Sequence, residues 1–483
     1  MSNNIIYNDF YKMPAKEFEL FQKLVNEQDE DLKKGIIRQI HSLRGIYEKD
    51  DGTHGVNDAS FVKYILEAFC MLYISGSIAF YNFSAHKYEY VDEPEYMAFF
   101  KKLLDEVDTS LWSPKLEGRY KARFKREISP RLREWSIPKD WVAFRNGCFN
   151  ISDGKFYHGD HPGIHSFNNT GYDYDEHAEA VEFKKFIDDI FGGDKDLINV
   201  VQEVLGNTLL YGQNPLQIIT IFCSPGRSGK GVLSNLLMKL HGEKNCSATS
   251  VSQLSSQFGV SQMFDKVINI SNENNENVIT DTSIMKTVSG NDLVMVEKKY
   301  CDAIPVHIYT KLFISTNSIT FKDSSKGFQE RLVPIPFRYT FVENPKGKYQ
   351  KKRDNMLEAK LSKELSGIFN WCYEGLIRLR EAGYHLSNSE AVDRERDYIV
   401  STSNPVQLFV KENIVIVPGQ KVRKAEVYKR YKEWVNNNCV NTGIYQSAQR
   451  FYEKFNAVIQ EKSISSETKR VQGYDYYVDI DFV

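Results

Sequence analysis

The stretch QIITIFCSPGRSGKGVLSNLLMKLHG, residues 217–242, decides the fold of this chain. Its first part, Gln217–Cys223, is apolar and β-branched, which is typical of a buried strand. The glycine-rich SPGRSGKG follows at once, and the residues after it have the apolar pattern of a helix. A strand, a glycine-rich turn and a helix in this order predict a phosphate-binding loop, in which backbone N–H groups and the helix N-terminus surround phosphate oxygens.

This loop supplies the residues that would bind a nucleotide. Gly226 and Gly229 let the backbone turn inward, and Lys230 is placed to reach the β- and γ-phosphates. The predicted nucleotide-binding residues are Pro225, Gly226, Arg227, Ser228, Gly229, Lys230, Gly231 and Val232. Ser224 stands where a first glycine is usual, and Gly231 replaces the Ser or Thr hydroxyl that usually ligates Mg²⁺. The alternative interpretation is a glycine-rich surface turn with an ordinary lysine.

Two more buried strands are predicted downstream, at Lys266–Ser271 and Lys311–Thr316. Helical segments separate them, which favours a parallel α/β sheet covered on both faces. Glu273 comes just after the first of these strands and is the predicted catalytic acid and metal ligand, with Asn272 as a second metal candidate through a bound water. Asn317 follows the other strand and is predicted to orient the attacking water. The alternative for each polar residue is an ordinary turn position.

Five motifs in order resemble those of the superfamily-three helicases, in particular the branch of phage, plasmid and poxvirus primase-helicases. They are SPGRSGKG, NISNE, MKTVSGNDLVMVEKKY, LFISTN and SSKGFQERLVPIPF. The upstream WVAFRNGCFNISDGKFYHG, followed by GYDYDEHAEA, resembles the region that leads into the helicase core of that branch. The resemblance covers residues 141–337 well, the N-terminus weakly and the C-terminus only in pattern. Two positions depart from it: the family usually has Ser or Thr where Gly231 stands, and often Asp where Asn272 stands.

The resemblance implies an AAA+-like ATPase core that assembles as a ring, typically a hexamer, around single-stranded DNA. ATP and Mg²⁺ would bind between subunits and drive 3′→5′ translocation. A DNA-gripping hairpin would carry Lys298 and Lys299 at its tip, and EKKY does lie between two apolar runs. Arg331 stands where the family often has a pair of arginines, the first replaced here by Glu330, and is the predicted finger for a neighbouring subunit. Lys286 is a further candidate for a phosphate contact across the subunit boundary.

The chain of 483 residues is long enough for two to four domains, at roughly 100–200 residues each. The predicted fold is multidomain α/β: a mixed α+β N-terminal domain at 1–175, a helical collar at 176–212, a P-loop ATPase helicase core at 213–345, a helical segment at 346–395 and a winged-helix-like domain at 396–483. In the first of these, the basic segment from Ser113 to Trp135, with Tyr120 and Phe124 interleaved, is a candidate footprint for DNA phosphates. The alternative is a solvated basic helix face.

The C-terminal region has the pattern of a small DNA-binding unit. The helix SAQRFYEKFNAVI begins at Ser447, a good N-cap, and would present Arg450 and Lys454 on one side. A hairpin-like tail with Lys469 and Arg470 follows, so the region resembles a winged helix that binds an origin or the fork duplex. The alternative is a packing or oligomerisation domain.

Composition narrows the classes of function. Lysine and arginine number 62 against 64 acidic residues, for a net charge of −2, which excludes a globally basic nucleic-acid coat but not a local basic channel. The seven cysteines are scattered without CxxC spacing, so we expect neither a disulfide framework nor a structural zinc site, and a cytoplasmic location fits. The stretch Ala68–Ala85 is predicted to be a helix followed by a strand, not a membrane span. No signal peptide is expected in MSNNIIYNDFYK.

Two polar clusters resemble metal sites but are interpreted otherwise. His158, His161 and His165 lie in a segment broken by glycine and proline, which predicts a solvated loop and not a zinc site. Asp173 and Asp175 have the spacing of a metal-binding primase pair, yet no accompanying catalytic residues are visible. We therefore expect a separate primase.

The sequence predicts an ATP-dependent, ring-forming replicative DNA helicase of a phage or mobile genetic element, with origin recognition as a further role. Its expected partners are single-stranded and forked DNA, an origin duplex and other copies of the chain, with no membrane contact. Two alternatives stay open. One is a DNA-packaging or translocating motor. The other is an initiator that binds nucleotide only for assembly, an interpretation that Gly231 and Asn272 keep open.

Overall fold

A computed structural model gives the fold of the chain. The residues that it describes are 9–74, 77–128, 140–164, 166–224, 226–254, 259–273, 277–279, 281–296, 304–323, 325–403, 405–437, 447–461, 468–471 and 473–483. Within these ranges no helix is both long enough and apolar enough to cross a membrane. Ala68 ends one helix and the next residues enter strands, as the sequence predicts for this uncharged stretch.

The first part of the chain combines helices with short antiparallel sheets. Its helices are α1 (Ala15–Asn26), α2 (Glu30–Leu43), α3 (Asp58–Ala68), α4 (Glu93–Asp105) and α5 (Pro114–Ile128). Its strands are β1 (Ile46–Glu48), β2 (His54–Val56), β3 (Met71–Ile74), β4 (Ser77–Asn82), β5 (Lys87–Tyr90), β6 (Trp141–Phe144), β7 (Gly147–Asn150) and β8 (Lys155–His158). They form the sheets β1–β2, β3–β4–β5 and β6–β7–β8, in which every pair is antiparallel.

The middle of the chain alternates strands and helices. Its helices are α6 (Val181–Phe191), α7 (Lys195–Asn207), α8 (Lys230–His241), α9 (Val251–Leu254), α10 (Ser283–Ser289), α11 (Lys326–Gln329), α12 (Leu357–Leu361), α13 (Leu365–Glu381) and α14 (Glu390–Ser403). Its strands are β9 (Ile219–Cys223), β10 (Cys246–Ser247), β11 (Ile268–Glu273), β12 (Asn277–Ile279), β13 (Leu293–Val296), β14 (Ile304–His307), β15 (Lys311–Thr316), β16 (Ile319–Phe321), β17 (Leu332–Pro336), β18 (Thr340–Val342) and β19 (Gln350–Lys352).

Five of these strands form one parallel sheet, in the order β10–β11–β15–β9–β17. Every neighbouring pair runs in the same direction. All residues of β9, β15 and β17 are buried, because helices and connecting segments cover both faces. The predicted parallel α/β sheet is therefore confirmed, and the strand predicted at Lys311–Thr316 has those bounds in the structure.

The described residues of the last part of the chain form a small unit of three helices and one sheet. Its elements are α15 (Pro405–Asn413), β20 (Ile414–Arg423), α16 (Lys424–Asn437), α17 (Ala448–Glu461), β21 (Thr468–Val471) and β22 (Tyr474–Phe482). The strands form an antiparallel sheet in the order β20–β22–β21. The predicted helix that begins near Ser447 and the hairpin tail are both present. The hydroxyl of Ser447 accepts the backbone N–H of Arg450 at 3.4 Å, as an N-cap should.

Helices α7 and α13 pack against each other at unusually short range. A Cβ added to Gly375 would lie 2.3 Å from the backbone oxygen of Gln202, and one added to Gly206 would lie 2.6 Å from the oxygen of Cys372. The guanidinium of Arg378 binds Glu203 across the same contact at 2.7 Å. The two glycines therefore allow the backbones to approach, and the contact joins the predicted collar to the helical segment beyond the sheet.

We expect Gly375→Ala to destabilise the chain by about 1–3 kcal/mol, because the added methyl group would overlap a backbone oxygen that cannot rotate away. Thermal unfolding followed by circular dichroism measures the effect as a lower transition temperature. The matched control is Gly118→Ala in α5, where no atom lies within 4 Å of the added Cβ. That change should be neutral or stabilising, since alanine favours helix. Equal effects of the two substitutions would contradict the close-packing argument.

Candidate active site

The glycine-rich loop lies at the edge of the sheet where the carboxyl ends of the parallel strands meet. It leaves β9 at Cys223, which is paired with Thr316 at the end of β15. Thr316 is in turn paired with Glu273, the last residue of β11. The backbone of Glu273 and the residue after β15, Asn317, therefore lie at the same edge as the loop, as the sequence predicts.

The side chain of Lys230 is at the centre of this edge. It is the first residue of α8, is only 9% exposed, and its ammonium group donates three hydrogen bonds. The acceptors are the backbone oxygens of Ser224 and Thr316, at 3.0 and 2.5 Å, and Oδ1 of Asn317, at 2.9 Å. Burial lowers the pKa of Lys230. The structure thus brings together the predicted phosphate-binding lysine and the predicted polar residue of the neighbouring strand.

The loop has the backbone conformation that its glycines permit. Gly229 has φ of 90°, and a Cβ there would lie 3.0 Å from Cγ2 of Ile190 on α6. Arg227 is held at φ of 62°, a left-handed conformation that is uncommon for residues other than glycine. Its backbone oxygen accepts the N–H of Phe341 on β18 at 2.8 Å. This hydrogen bond fixes the exposed tip of the loop against the segment that follows β17.

The two departures from the general loop pattern have different surroundings. Ser224 is buried, and its hydroxyl is hydrogen-bonded to the hydroxyl of Ser228, so it closes the loop from within. Gly231 has no heavy atom within 4 Å of an added Cβ. The space for a hydroxyl is therefore present at this position although the hydroxyl is not. Pro225 lies outside the described residues, and Gly226 and Val232 are respectively exposed and half-buried.

The chemistry of the donor set bears on Mg²⁺. Among the described residues no cluster of three or more His, Cys, Asp or Glu could hold a metal ion by itself. Asn272 is exposed near the end of β11, and Glu273 follows it at the strand end. Mg²⁺ is commonly bound by one or two carboxylates together with substrate phosphates and water. The residues at this edge fit that mode, in which the nucleotide supplies part of the coordination.

Arg331 lies at the opposite edge of the sheet. It directly precedes β17, whose first residue pairs with Ile219 at the start of β9, and its backbone oxygen accepts the N–H of Ile219 at 2.7 Å. The full length of β9, about 17 Å at 3.3 Å per residue, separates this edge from the loop. The guanidinium of Arg331 donates to the hydroxyl of Ser289 at 3.2 Å and makes no ion pair with a described carboxylate. Arg331 and Lys230 of the same chain therefore lie at opposite edges of the sheet and do not form one site.

Lys286 has a partner within its own chain. Its ammonium forms an ion pair with Asp323 at 2.8 Å, and Thr282 donates to the same carboxylate at 2.5 Å. Although burial opposes ionisation of Asp323, hydrogen bonds from Lys286, Ser325 and Thr282 hold its pKa well below the usual range. The structure thus uses Lys286 for a local contact, which weakens its candidacy for a phosphate contact between subunits.

The two strands of the predicted hairpin are present. Strands β13 and β14 pair antiparallel, from Leu293 with His307 to Val296 with Ile304. The tip, including Lys298 and Lys299, lies outside the described residues.

In the N-terminal region the structure supports the alternative interpretation of the basic segment. Tyr120 and Phe124 of α5 are 1% and 0% exposed, so they belong to the core and cannot stack on bases. Most described cations of this helix have acidic partners: Arg119 pairs with Asp58, Lys121 and Lys125 pair with Glu93, and Arg123 pairs with Glu127. Arg131 and Arg133 lie outside the described residues.

The C-terminal candidates lie on two elements of the last unit. Arg450 is exposed and Lys454 is half-buried, one turn apart on α17. Lys469 and Arg470 lie on β21, where they pair with Tyr476 and Asp475 of β22, and Arg470 is exposed. The helix and the hairpin therefore both carry cations.

Two features of the middle region were not predicted from sequence. One is the contact of β18 with the loop, which is made by a backbone N–H and so has no residue signature. The other is Lys311, the first residue of β15, whose ammonium is buried and donates to the backbone oxygen of Leu210. Burial lowers the pKa of Lys311 to about 7. A lysine at the start of an otherwise apolar strand is the signal that was available.

Two families match parts of the chain. Residues 59–192 match a family described as D5 N terminal like, and residues 222–331 match a family of unknown function, DUF5906. The first match extends from α3 to α6 and its adjoining glycine, so it covers part of the N-terminal region, where the motif resemblance is weak, and residues 141–192, where it is good. The second begins in β9 and ends at Arg331, so it contains the whole candidate site. The D5-like match supports a relationship to the phage primase-helicase group and a role in replication.

Solved structures of the C-terminal region of NrS-1 are similar to this chain at low identity. An A-form apo structure is 14% identical, with 84% of this chain and 94% of that chain covered and a TM-score of 0.45. An A-form apo structure of residues 305–718 is 13% identical, with coverages of 88% and 100% and a TM-score of 0.47. A further apo structure of the same region is 12% identical, with coverages of 85% and 96% and a TM-score of 0.44.

The buried Lys311 predicts a pH dependence of stability. In the folded chain its pKa is lowered to about 7, whereas an unfolded lysine has a pKa of about 10.4, so the unfolded chain binds more protons between these values. The free energy of unfolding should therefore rise with pH from about 7 to about 10. Urea unfolding at several pH values measures this slope. In Lys311→Met, which keeps the volume without the titrating group, the slope should be smaller; an unchanged slope would contradict the assignment.

Proposed function

We propose that the chain is an ATP-dependent DNA helicase that assembles as a ring and translocates 3′→5′ on single-stranded DNA during replication of a phage or mobile element. The observation that carries this proposal is the placement of Lys230. Its ammonium lies between the glycine-rich loop, the end of β15 and Asn317, where a triphosphate would meet all three. The strand order of the sheet agrees with the AAA+-like core that the motif resemblance implies.

Each residue at this edge has a part in the proposed hydrolysis. The backbone N–H groups of the loop and the N-terminus of α8 bind the phosphates, and Lys230 exchanges backbone acceptors for phosphate oxygens. Glu273 polarises the attacking water and Asn317 orients it. Glu273 would also hold Mg²⁺, with Asn272 acting through a water, and a bound ion would supply positive charge to the phosphates. The low exposure of Lys230 strengthens its attraction for the transferring group.

The position of Arg331 supports a site completed by a second copy. It lies at the far edge of the sheet from its own Lys230, yet a hydrolysing site benefits from a cation on the transition-state charge. Its only described side-chain partner is the neutral hydroxyl of Ser289, so no carboxylate has to be displaced. In the proposal the guanidinium leaves this hydroxyl and binds the nucleotide of the neighbouring subunit. A hexameric ring would contain six such contacts, one at each subunit interface.

The proposed DNA contacts lie on two parts of the chain. The tip of the β13–β14 hairpin brings Lys298 and Lys299 to the phosphates of the translocated strand. The described part of the C-terminal unit has the order helix, strand, helix, helix, strand, strand with one antiparallel sheet, and this order supports the proposed winged helix. Arg450 and Lys454 would then approach an origin or fork duplex together with the wing cations Lys469 and Arg470. A separate primase would supply primers.

One other function is favoured by a specific observation. Gly231 leaves an unfilled space where a metal-binding hydroxyl usually stands, which fits an initiator that binds nucleotide for assembly without strong hydrolysis. Steady-state ATPase activity with and without single-stranded DNA separates this initiator from a motor. Unwinding of a forked duplex then separates a helicase from a packaging or translocating motor that does not separate strands.

Replacement of the lysine tests the proposed function directly. We expect Lys230→Ala to reduce ATP hydrolysis by about 10²-fold or more, because the cation that stabilises the transferring phosphate is lost. The assay is steady-state phosphate release with single-stranded DNA present. The control is Lys239→Ala on the same helix, whose ammonium binds Ser362 away from the loop and whose loss should leave hydrolysis unchanged. Near-normal hydrolysis by Lys230→Ala would refute the site.

A mixing experiment tests the role of Arg331. Subunits with Arg331→Ala should bind ATP and hydrolyse it about 10³-fold more slowly, within the range seen for arginine fingers. Mixed with inactive Lys230→Ala subunits, they should regain activity, because some interfaces then combine an intact Lys230 with an intact Arg331 of the neighbour. Mixed rings are confirmed by two affinity tags. Absence of recovery at every ratio, with mixed rings present, would show that Arg331 does not act between subunits.

A further inference from the structure

An aromatic pair lies at the rim of the glycine-rich loop. We propose that Tyr349 stacks on the base of the bound nucleotide and thereby forms the base-binding part of the site. The inference rests on the proposed nucleotide site and adds to it a residue outside every motif. It concerns a nucleoside triphosphate as ligand, with the phosphates at Lys230 and the base at Tyr349.

Backbone hydrogen bonds place Tyr349 close to the loop. The N–H of Phe341 on β18 binds the oxygen of Arg227, and the N–H of Thr340 binds the oxygen of Tyr349 at 2.9 Å. Strand β19 begins at the next residue and pairs with β18. Two strand spacings, about 10 Å in all, therefore separate the backbone of Tyr349 from that of the loop tip. A ligand anchored by its phosphates in the loop extends over this distance.

Tyr349 contacts a second tyrosine and is exposed. Its ring centre lies 5.9 Å from that of Tyr339 in a T-shaped contact, and the ring is part of a residue that is 54% exposed. Tyr339 is itself held by Lys351, whose ammonium lies 4.6 Å from its ring centre and binds Asp189 on α6 at 2.9 Å. The supporting ring is thus fixed, and Tyr349 presents an exposed aromatic surface beside the loop.

The helix α6 brings a second surface to the same place. It ends at Phe191, and a Cβ added to the next residue, Gly192, would lie 2.4 Å from the hydroxyl of Tyr339. Only glycine allows this approach, so the end of α6 and the aromatic pair are packed as one wall. The same helix contacts Gly229 of the loop through Ile190. One rigid element therefore connects the proposed phosphate site with the proposed base site.

The chemistry of this wall fits a nucleobase. Bases stack on aromatic side chains with a substantial gain in affinity, and the stacking tolerates any base because every base has a π-face. Lys348, whose ammonium lies over the Tyr349 ring at 5.5 Å from its centre, adds positive charge beside the proposed base site. Because the wall offers a ring and not a set of base-edge donors, we expect adenine and guanine nucleotides to bind with similar affinity through this contact.

The experiment compares a ligand that has a base with one that lacks it. Calorimetric titration measures the Kd of ATP and of inorganic tripolyphosphate, each with Mg²⁺, for the full chain and for Tyr349→Ala. We expect the Kd of ATP to rise about 5- to 150-fold, the range found for loss of one base–aromatic stack, and that of tripolyphosphate to stay unchanged. Tyr349→Phe should bind ATP as the unaltered chain does, because stacking needs the ring and not the hydroxyl.

Each other outcome has a defined meaning. Equal weakening of both ligands would overturn the inference, since Tyr349 would then only support the loop. Unchanged binding of both ligands would also overturn it. If Tyr349→Ala bound both ligands normally but its ATP hydrolysis were no longer stimulated by single-stranded DNA, the ring would be assigned to a DNA base instead. Tyr47→Ala, at an equally exposed tyrosine of β1, controls for nonspecific effects. Failure of the unaltered chain to bind either ligand would instead refute the proposed function itself.

Discussion

The parallel direction of the strands in the central sheet is the constraint on which the candidate site depends. Because β9, β11 and β15 run the same way, three separate segments end at one edge, although nearly a hundred residues of chain connect them. Lys230 then joins the ends of β9 and β15, because its ammonium donates hydrogen bonds to the backbone oxygens of Ser224 and Thr316. These oxygens replace the water that the buried ammonium loses. An antiparallel partner in this position would have carried Asn317 to the other edge.

The buried strands and their polar ends were the most predictable features of the chain. The run KLFIST has an apolar centre, LFI, and is followed by the polar Asn317, so the strand and the place where it ends follow from sequence. Contacts made by backbone groups were not predictable, because any residue supplies an N–H: the hydrogen bond from Phe341 to Arg227 is such a case. The partner of Arg331 could not be predicted either, because the hydroxyl of Ser289 on α10 is distant in sequence and comes close only in the folded chain.

Basic helices with interleaved aromatics are ambiguous in sequence, and α5 shows what resolves them. Tyr120, Phe124 and Ile128 recur every fourth residue, which places them in one stripe along the helix, and all three are buried. The cations occupy the remaining faces and bind acidic residues such as Asp58 and Glu93. Helical spacing of the aromatics was therefore the better guide to their role than the charge that surrounds them. In α17 the same spacing, at Phe451 and Phe455, again marks the core.

The distance between Lys230 and Arg331 within one chain has a consequence for symmetry. The surface that offers the arginine is not the surface that receives it, so any assembly in which Arg331 serves a neighbour is joined head to tail by a heterologous contact. An open string of such subunits always leaves one loop without an arginine at one end and one arginine without a loop at the other. Only closure would use every half-site, so a completed ring of the proposed kind would have a catalytic advantage over each of its assembly intermediates.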